Sequence, residues 1–153
     1  MRRAEKAILD PAELETILAS ATVCRIGLWD GTWPYVVPVN CGYAQGMVYF
    51  HSAPEGRKIE LLRRGEGRVC VEVEADVAVV PADVPCRSTA RYRSVVGFGR
   101  ADFLDDRKEK RRALELIARQ CGAGAGPMSD AAVDAVSVVR VTLEEVTGKR
   151  SPA

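Results

Sequence analysis

The chain has 153 residues, 47% apolar and 28% charged, which is one domain's worth of an ordinary globular composition. Its 22 basic and 21 acidic residues leave a formal charge of +1. So small a surplus cannot hold a polyanion at long range, and nucleic acid is set aside as a partner. No apolar run approaches membrane-spanning length, and the basic opening Met1–Lys6 leads into a polar helix signal, not a secretory one. The expectation is a single cytoplasmic domain over 1–153, with no membrane partner and with 1–5 and 147–153 as flexible tails. The five cysteines are widely spaced, lack a Cys-x-x-Cys pair and fit neither a disulfide framework nor a zinc site, so no metal is expected.

The first element is a helix. Asp10 is a good N-cap, Pro11 suits the first helical position and Glu13 completes a capping box. Leu14, Ile17, Leu18 and Ala21 then recur at helical spacing and form one apolar stripe. The period changes at Thr22–Leu28 and Tyr35–Cys41, two β-rich segments joined through Trp29-Asp30-Gly31-Thr32-Trp33, where Asp-Gly signals a hairpin. A second turn, Gly42–Gly46, leads into a strand over Met47–Ser52. The chain turns at Ala53–Gly56 into a short helix carrying Lys58, Ile59, Leu61 and Leu62, which ends near Gly65 or Gly67.

Arg68–Glu74 alternates, with Val69, Val71 and Val73 on one face, as a strand with one buried side does. Asp76–Val80 extends it until Pro81–Pro85. Arg91–Leu104 is a long strand whose Gly97 and Gly99 mark a bend. Lys108–Cys121 is a second amphipathic helix, Gly122–Pro127 a mobile loop and Val138–Val146 a closing strand. Six or seven strands in meander order imply a mainly β fold: an antiparallel barrel with peripheral helices. A parallel sheet is disfavoured because most successive strands have no helix between them.

One stretch carries chemistry on its face. At Tyr49–Lys58 a strand ends in the hydroxyl of Ser52, turns through Pro54 and Gly56, and opens a helix whose first turn holds Arg57 and Lys58. Free amides at a helix start, two cations and a hydroxyl are the parts of a phosphate-binding corner, although such corners are often only solvated surface.

Three ordered motifs then carry a resemblance. They are Pro34-Tyr35-Val36-Val37-Pro38-Val39-Asn40, Tyr49-Phe50-His51-Ser52-Ala53 with Gly56-Arg57-Lys58, and Tyr92-Arg93-Ser94-Val95-Val96-Gly97-Phe98-Gly99. Together they resemble the nitroimidazole-resistance branch of the pyridoxamine 5′-phosphate oxidase-related split-barrel flavoproteins, over about residues 4–149.

The resemblance implies an FMN-binding homodimer. Val37, Pro38, Val39 and Asn40 would flank the flavin ring with their backbone. Ser52, Arg57 and Lys58 would hold the phosphate, and Tyr92, Arg93, Ser94 and Val95 would approach from the partner subunit. It implies an FMN-dependent oxidoreductase reducing small electrophiles such as nitroaromatics, fed by a transient electron donor. The alternatives are a non-catalytic flavin- or haem-binding protein, or a deazaflavin user. Pro38, lacking an amide in mid-strand, independently points to a strand unpaired on that side. Cys41 departs from the family pattern, which has an aromatic there, and a smaller side chain at this place would enlarge the pocket or alter the flavin contacts.

His51, the only histidine, has two readings: a group at the flavin that orients substrate or moves a proton, or a strand histidine bonded to backbone. The thiols read as core, and Trp29 and Trp33 as caps on the barrel mouth or dimer surface. No Gly-x-Gly-x-x-Gly is present to hold a dinucleotide donor. No second basic cluster for a substrate phosphate is visible along the sequence.

Overall fold

The computed structural model describes residues 3–124 and 126–151. A 3-10 turn at Ala4–Lys6 leads through a two-residue strand β1 (Ala7–Ile8) to helix α1 (Pro11–Ser20). Then come β2 (Val23–Trp29), β3 (Pro34–Ala44), β4 (Met47–Ser52), helix α2 (Arg57–Arg64), β5 (Arg68–Val80) and β6 (Thr89–Phe103). Helix α3 (Arg107–Gln120), a short helix α4 (Asp130–Asp134) and β7 (Ser137–Ser151) complete the chain.

All pairings are antiparallel, in the order β1-β7-β4-β3-β2-β5-β6, and β6 pairs back onto β7. Six strands therefore close into a barrel, and β1 is a short addition on β7. The expected mainly β split barrel with peripheral helices is the fold observed.

The alternation read along each strand sorts its faces. Ile26, Val48, Phe50, Val71, Val73, Val95, Val139 and Val141 fill the barrel, none above 1% exposed. Burying such side chains stabilises by about 1.5–3 kcal/mol each. Helix α1 adds Ile17 and Leu18 at one end and α2 adds Leu62 at the other. Helix α3 lies on β3 and β4 from outside, so close that a Cβ on Gly42 would sit 2.9 Å from the Ile117 amide nitrogen.

Four expectations need correction. Asp10 caps α1, its Oδ1 accepting from the Ala12 amide at 3.0 Å, but Glu13 does not close a capping box: its carboxylate pairs with Arg150 Nη1 at 2.6 Å. The second turn is only Gln45-Gly46, because Gly42 and Tyr43 stay in β3 and pair with Tyr49 and Val48. Gly42 serves close packing there and not a turn.

The residues from 147 onward do not form a tail as far as Ser151. Thr147–Ser151 pair with β6, and Gly148 and Lys149 also pair with β1. The apolar pattern fails there because Gly148 packs directly under Leu14, where a side chain has no room. Finally, α4 was missed. Five residues with little periodicity are held by buried Val133, by the Ser129 cap, and by Arg107 and Arg111 reaching Asp130 and Asp134.

Candidate functional site

The two halves of β3 have different neighbours. Pro34–Asn40 pairs with β2, Asn40 opposite Val23 through Pro34 opposite Trp29, whereas the ladder to β4 covers only Cys41–Ala44. Antiparallel pairing makes successive residues point their amide and carbonyl to opposite edges. Since the Cys41 amide donates to the Thr22 carbonyl at 3.3 Å, odd-numbered residues bond toward β2. Val36 and Pro38 therefore face the other edge, where no strand pairs among the described residues. Pro38 has no amide to leave unsatisfied on it, as the sequence led us to expect. Asn40 and His51 stand where β3 and β4 part.

The same splay exposes His51, while Ser52, opposite Ser137 of β7, is half-buried. Beyond Ser52 the chain reaches Gly56, whose φ of +115° is open to glycine and costly for other residues. Gly56 caps α2 without a side-chain bond, so the first amides of the helix remain donors aimed away from it. The helix dipole places partial positive charge there.

The two cations of that turn diverge. Arg57 lies over the Tyr35 ring, 5.0 Å from its centroid, and pairs with Asp30 of the β2–β3 turn. Asp30 is itself fixed by the Trp33 and Thr32 amides at 2.5 and 2.8 Å. These bonds, then Arg57, hold its carboxyl below the usual carboxylate range. Lys58 turns inward, its Nζ 5.7 Å from the centroid of buried Phe50. Burial pushes its ammonium pKa down. Ser52 and the helix start thus follow one another at one end of the barrel, with Arg57 engaged by Asp30 and Lys58 lying over the Phe50 ring.

Other expected residues lie elsewhere. Tyr92, Arg93 and Ser94 are half-buried toward the opposite end of the same subunit's barrel, and Val95 is a core residue at 1% exposure. The Val95 side chain therefore meets no ligand, and its backbone is paired on both edges, with Val73 and Gly148. Cys41 does not enlarge a pocket. It is buried at 2%, with Sγ 3.6 Å from the Ala21 carbonyl. Trp29 and Trp33 are exposed at 64% and 69%.

A feature the sequence reading missed lies on the outer face. Val36, Gly27, Cys70 and Phe98 are consecutive partners on one rung across β3, β2, β5 and β6. With Trp29 they line an open groove of about 410 Å³. Val36 and Phe98 are 60% and 50% exposed. The signal was present in the sequence, since Val36 and Phe98 break the polar-out rule of their strands.

The sequence model described as pyridoxamine 5′-phosphate oxidase matches residues 10–150. The chain belongs to the pyridoxamine 5′-phosphate oxidase family. Among solved structures, it is 36% identical to a putative 5-nitroimidazole antibiotic resistance protein from Bacteroides thetaiotaomicron, covering 94% of this chain and 86% of that one, with a TM-score of 0.83. The flavocytochrome Anf3 from Azotobacter vinelandii shares the fold at 22% identity, over 100% and 72% of the chains, with a TM-score of 0.84. A FAD-binding protein from Mesorhizobium loti is 25% identical over 94% and 96%, with a TM-score of 0.68. No match was found among curated protein sequences. In this family member no helix among the described residues is long and apolar enough to cross a membrane, and no group of three His, Cys, Asp or Glu there gathers as a metal site.

Proposed function

We propose that the protein binds FMN as a homodimer and reduces small electrophiles such as nitroaromatics. The observation that carries this reading is the unpaired edge of β3 at Val36–Asn40 beside the cationic start of α2. A planar heteroaromatic ring needs hydrogen-bonding backbone along its polar edge, and a phosphate needs amide donors and cations. Pro38 and Asn40, whose backbone faces this edge, would border the ring, with Val37 and Val39 between and beside them bonded to β2, and Ser52, Arg57 and Lys58 would hold the phosphate. Arg57 fits only if it exchanges or shares its bond to Asp30. Tyr92, Arg93 and Ser94 would come from the partner subunit, since they lie away from this corner in their own.

Bound flavin supplies two-electron transfer chemistry. The residues of this chain bind and orient it and limit water at the ring. His51, exposed where the strands part, is placed to orient an anionic substrate or to hold a proton. The apolar rung through Val36, Gly27, Cys70 and Phe98 supports a dimer, because exposed apolar rows of this kind mark association surfaces.

The purified protein should be a dimer by light scattering, yellow, with flavin absorption bands, and should release FMN on denaturation. Anaerobic mixing with NADPH should bleach it, and a nitroimidazole should restore the colour. Colour that bleaches but never returns would favour a sensor or carrier without turnover. The exposure of His51 supports a haem-binding alternative, for which a Soret band lost in His51→Ala is the expected sign. Binding of a deazaflavin in preference to FMN, measured by fluorescence titration, would change the cofactor and not the site.

A further inference from the structure

Helix α3 touches the sheet closely at Gly42, but beside that contact a cavity of about 300 Å³ lies between the helix and strands β3, β4 and β7. A volume of that size is at the lower end of small-molecule sites. Its floor is apolar: Leu104 and Ala113 are buried, with Ala44 and Leu116 half-buried beside them. Three guanidiniums share its rim. Arg112 and Arg119 stand seven residues apart on α3, two turns along one face, with Leu116 between them. Arg140 comes from β7, directly opposite Tyr49 of β4. None of these residues belongs to the α2 corner or to the Tyr92–Ser94 stretch of β6.

The donors around this cavity are under-used. Arg112 and Arg119 form no side-chain hydrogen bond or ion pair among the described residues. Arg140 holds Asp102 through Nε and Nη2, at 3.4 and 2.7 Å, which leaves its Nη1 edge without a partner among those residues. The Tyr49 hydroxyl donates to the Met47 sulfur at 3.3 Å, a weak acceptor that an anionic oxygen outcompetes. Two carboxylates, Asp102 and Glu109, offset two of the three cations, and one positive charge is left over. Glu115 lines a separate cleft beyond Arg119 and pairs with neither arginine of α3.

We propose that this cavity binds a small monocarboxylate with an apolar body, such as an aryl or short branched-chain acid. A guanidinium fork matches the two oxygens of a carboxylate, and a single surplus charge matches a monoanion. The apolar floor receives the body that an inorganic anion lacks, while the Tyr49 hydroxyl adds a neutral donor that fixes orientation. The site stands on α3 and the outer face of β4 and β7, and it holds whether or not flavin occupies the α2 corner.

Calorimetric titration of the full-length protein with benzoate, benzamide and inorganic phosphate, in buffer with FMN and again without it, tests the assignment. Benzoate should bind in both buffers, and benzamide and phosphate at least about tenfold more weakly. Arg112→Gln and Arg119→Gln should each weaken benzoate about tenfold, and Tyr49→Phe about threefold. His51→Ala and Lys58→Gln, in the α2 corner, should keep the wild-type affinity for benzoate.

Circular dichroism confirms that each variant is folded; Arg112→Gln, exposed and with no carboxylate partner to strand, is the decisive one. Absence of benzoate binding, or benzamide binding as tightly, overturns the proposal. So does affinity lost in His51→Ala or Lys58→Gln but kept in Arg112→Gln, which would put the acid at the α2 corner. Benzoate binding that persists where FMN itself fails to bind upholds this site and counts against the flavin reading alone.

Discussion

The two halves of β3 share one strand and have opposite tasks. Cys41–Ala44 is paired on the β4 side, covered by α3 and tied down by Tyr43, whose hydroxyl donates to Glu15 Oε1 at 2.6 Å and accepts from the Gly46 amide at 3.1 Å. Pro34–Asn40 is paired with β2 alone and carries its even-numbered side chains into solvent. The difference teaches that a single strand can be a wall in one half and a ledge in the other. What decides is where the neighbouring ladder stops. Buried backbone groups need partners, so a ledge persists only where water or a ligand can supply them.

If that division is right, substitutions in the closed half change stability and those near the open half change binding. The largest effect is expected for Gly42→Val. The new side chain meets the α3 backbone, which cannot step aside cheaply, and urea denaturation should show a loss of about 3 kcal/mol. Lys58→Ala comes next, with flavin affinity falling by about 1–3 kcal/mol in a fluorescence titration. Unchanged affinity would remove Lys58 from the site.

Tyr43→Phe should cost about 1.5 kcal/mol, since it breaks a bond to a charged acceptor. It also has a pH signature. Burial, followed by the bond to Glu15, pushes the Tyr43 phenol up to about 12 from its usual 10. The unfolded chain gives up that proton first, so the contribution is intact below the ordinary value and is lost as pH rises toward the folded one. Wild-type protein should lose stability over that window, and the Phe variant should lose less; equal slopes would break the argument. Smallest of all, Pro38→Ala should move the urea midpoint by an amount equivalent to under about 1 kcal/mol, because the amide it adds faces an edge with no strand to receive it.

Much of the barrel was legible in the sequence because period-2 alternation and the Asp-Gly turn are local signals, as at Val69, Val71 and Val73. The α2 corner was legible for the same reason: Ser52, Gly56, Arg57 and Lys58 are neighbours in the chain. What escaped depends on residues far apart. Thr147–Ser151 looked like a tail because Gly148 and its polar neighbours owe their places to Leu14 and β1. The pairing of Arg93 opposite Arg150 escaped because only strand register sets it. Val95 stands in the same motif as Tyr92, Arg93 and Ser94, but its own side chain points inward, as strand alternation at a closed barrel requires.

One further consequence follows from β7. It pairs with β4 along its first half, β1 near its end and β6 along nearly its whole length, and it is the last strand in order. Until it docks, the other strands form an open sheet with two raw edges, at β4 and at β6. Sealing that seam joins residues separated by most of the chain, as Ala7 with Lys149 shows. Such late, long-range zippering makes assembly slow and nearly all-or-none, and an interrupted chain would be prone to stick to its own kind along those edges.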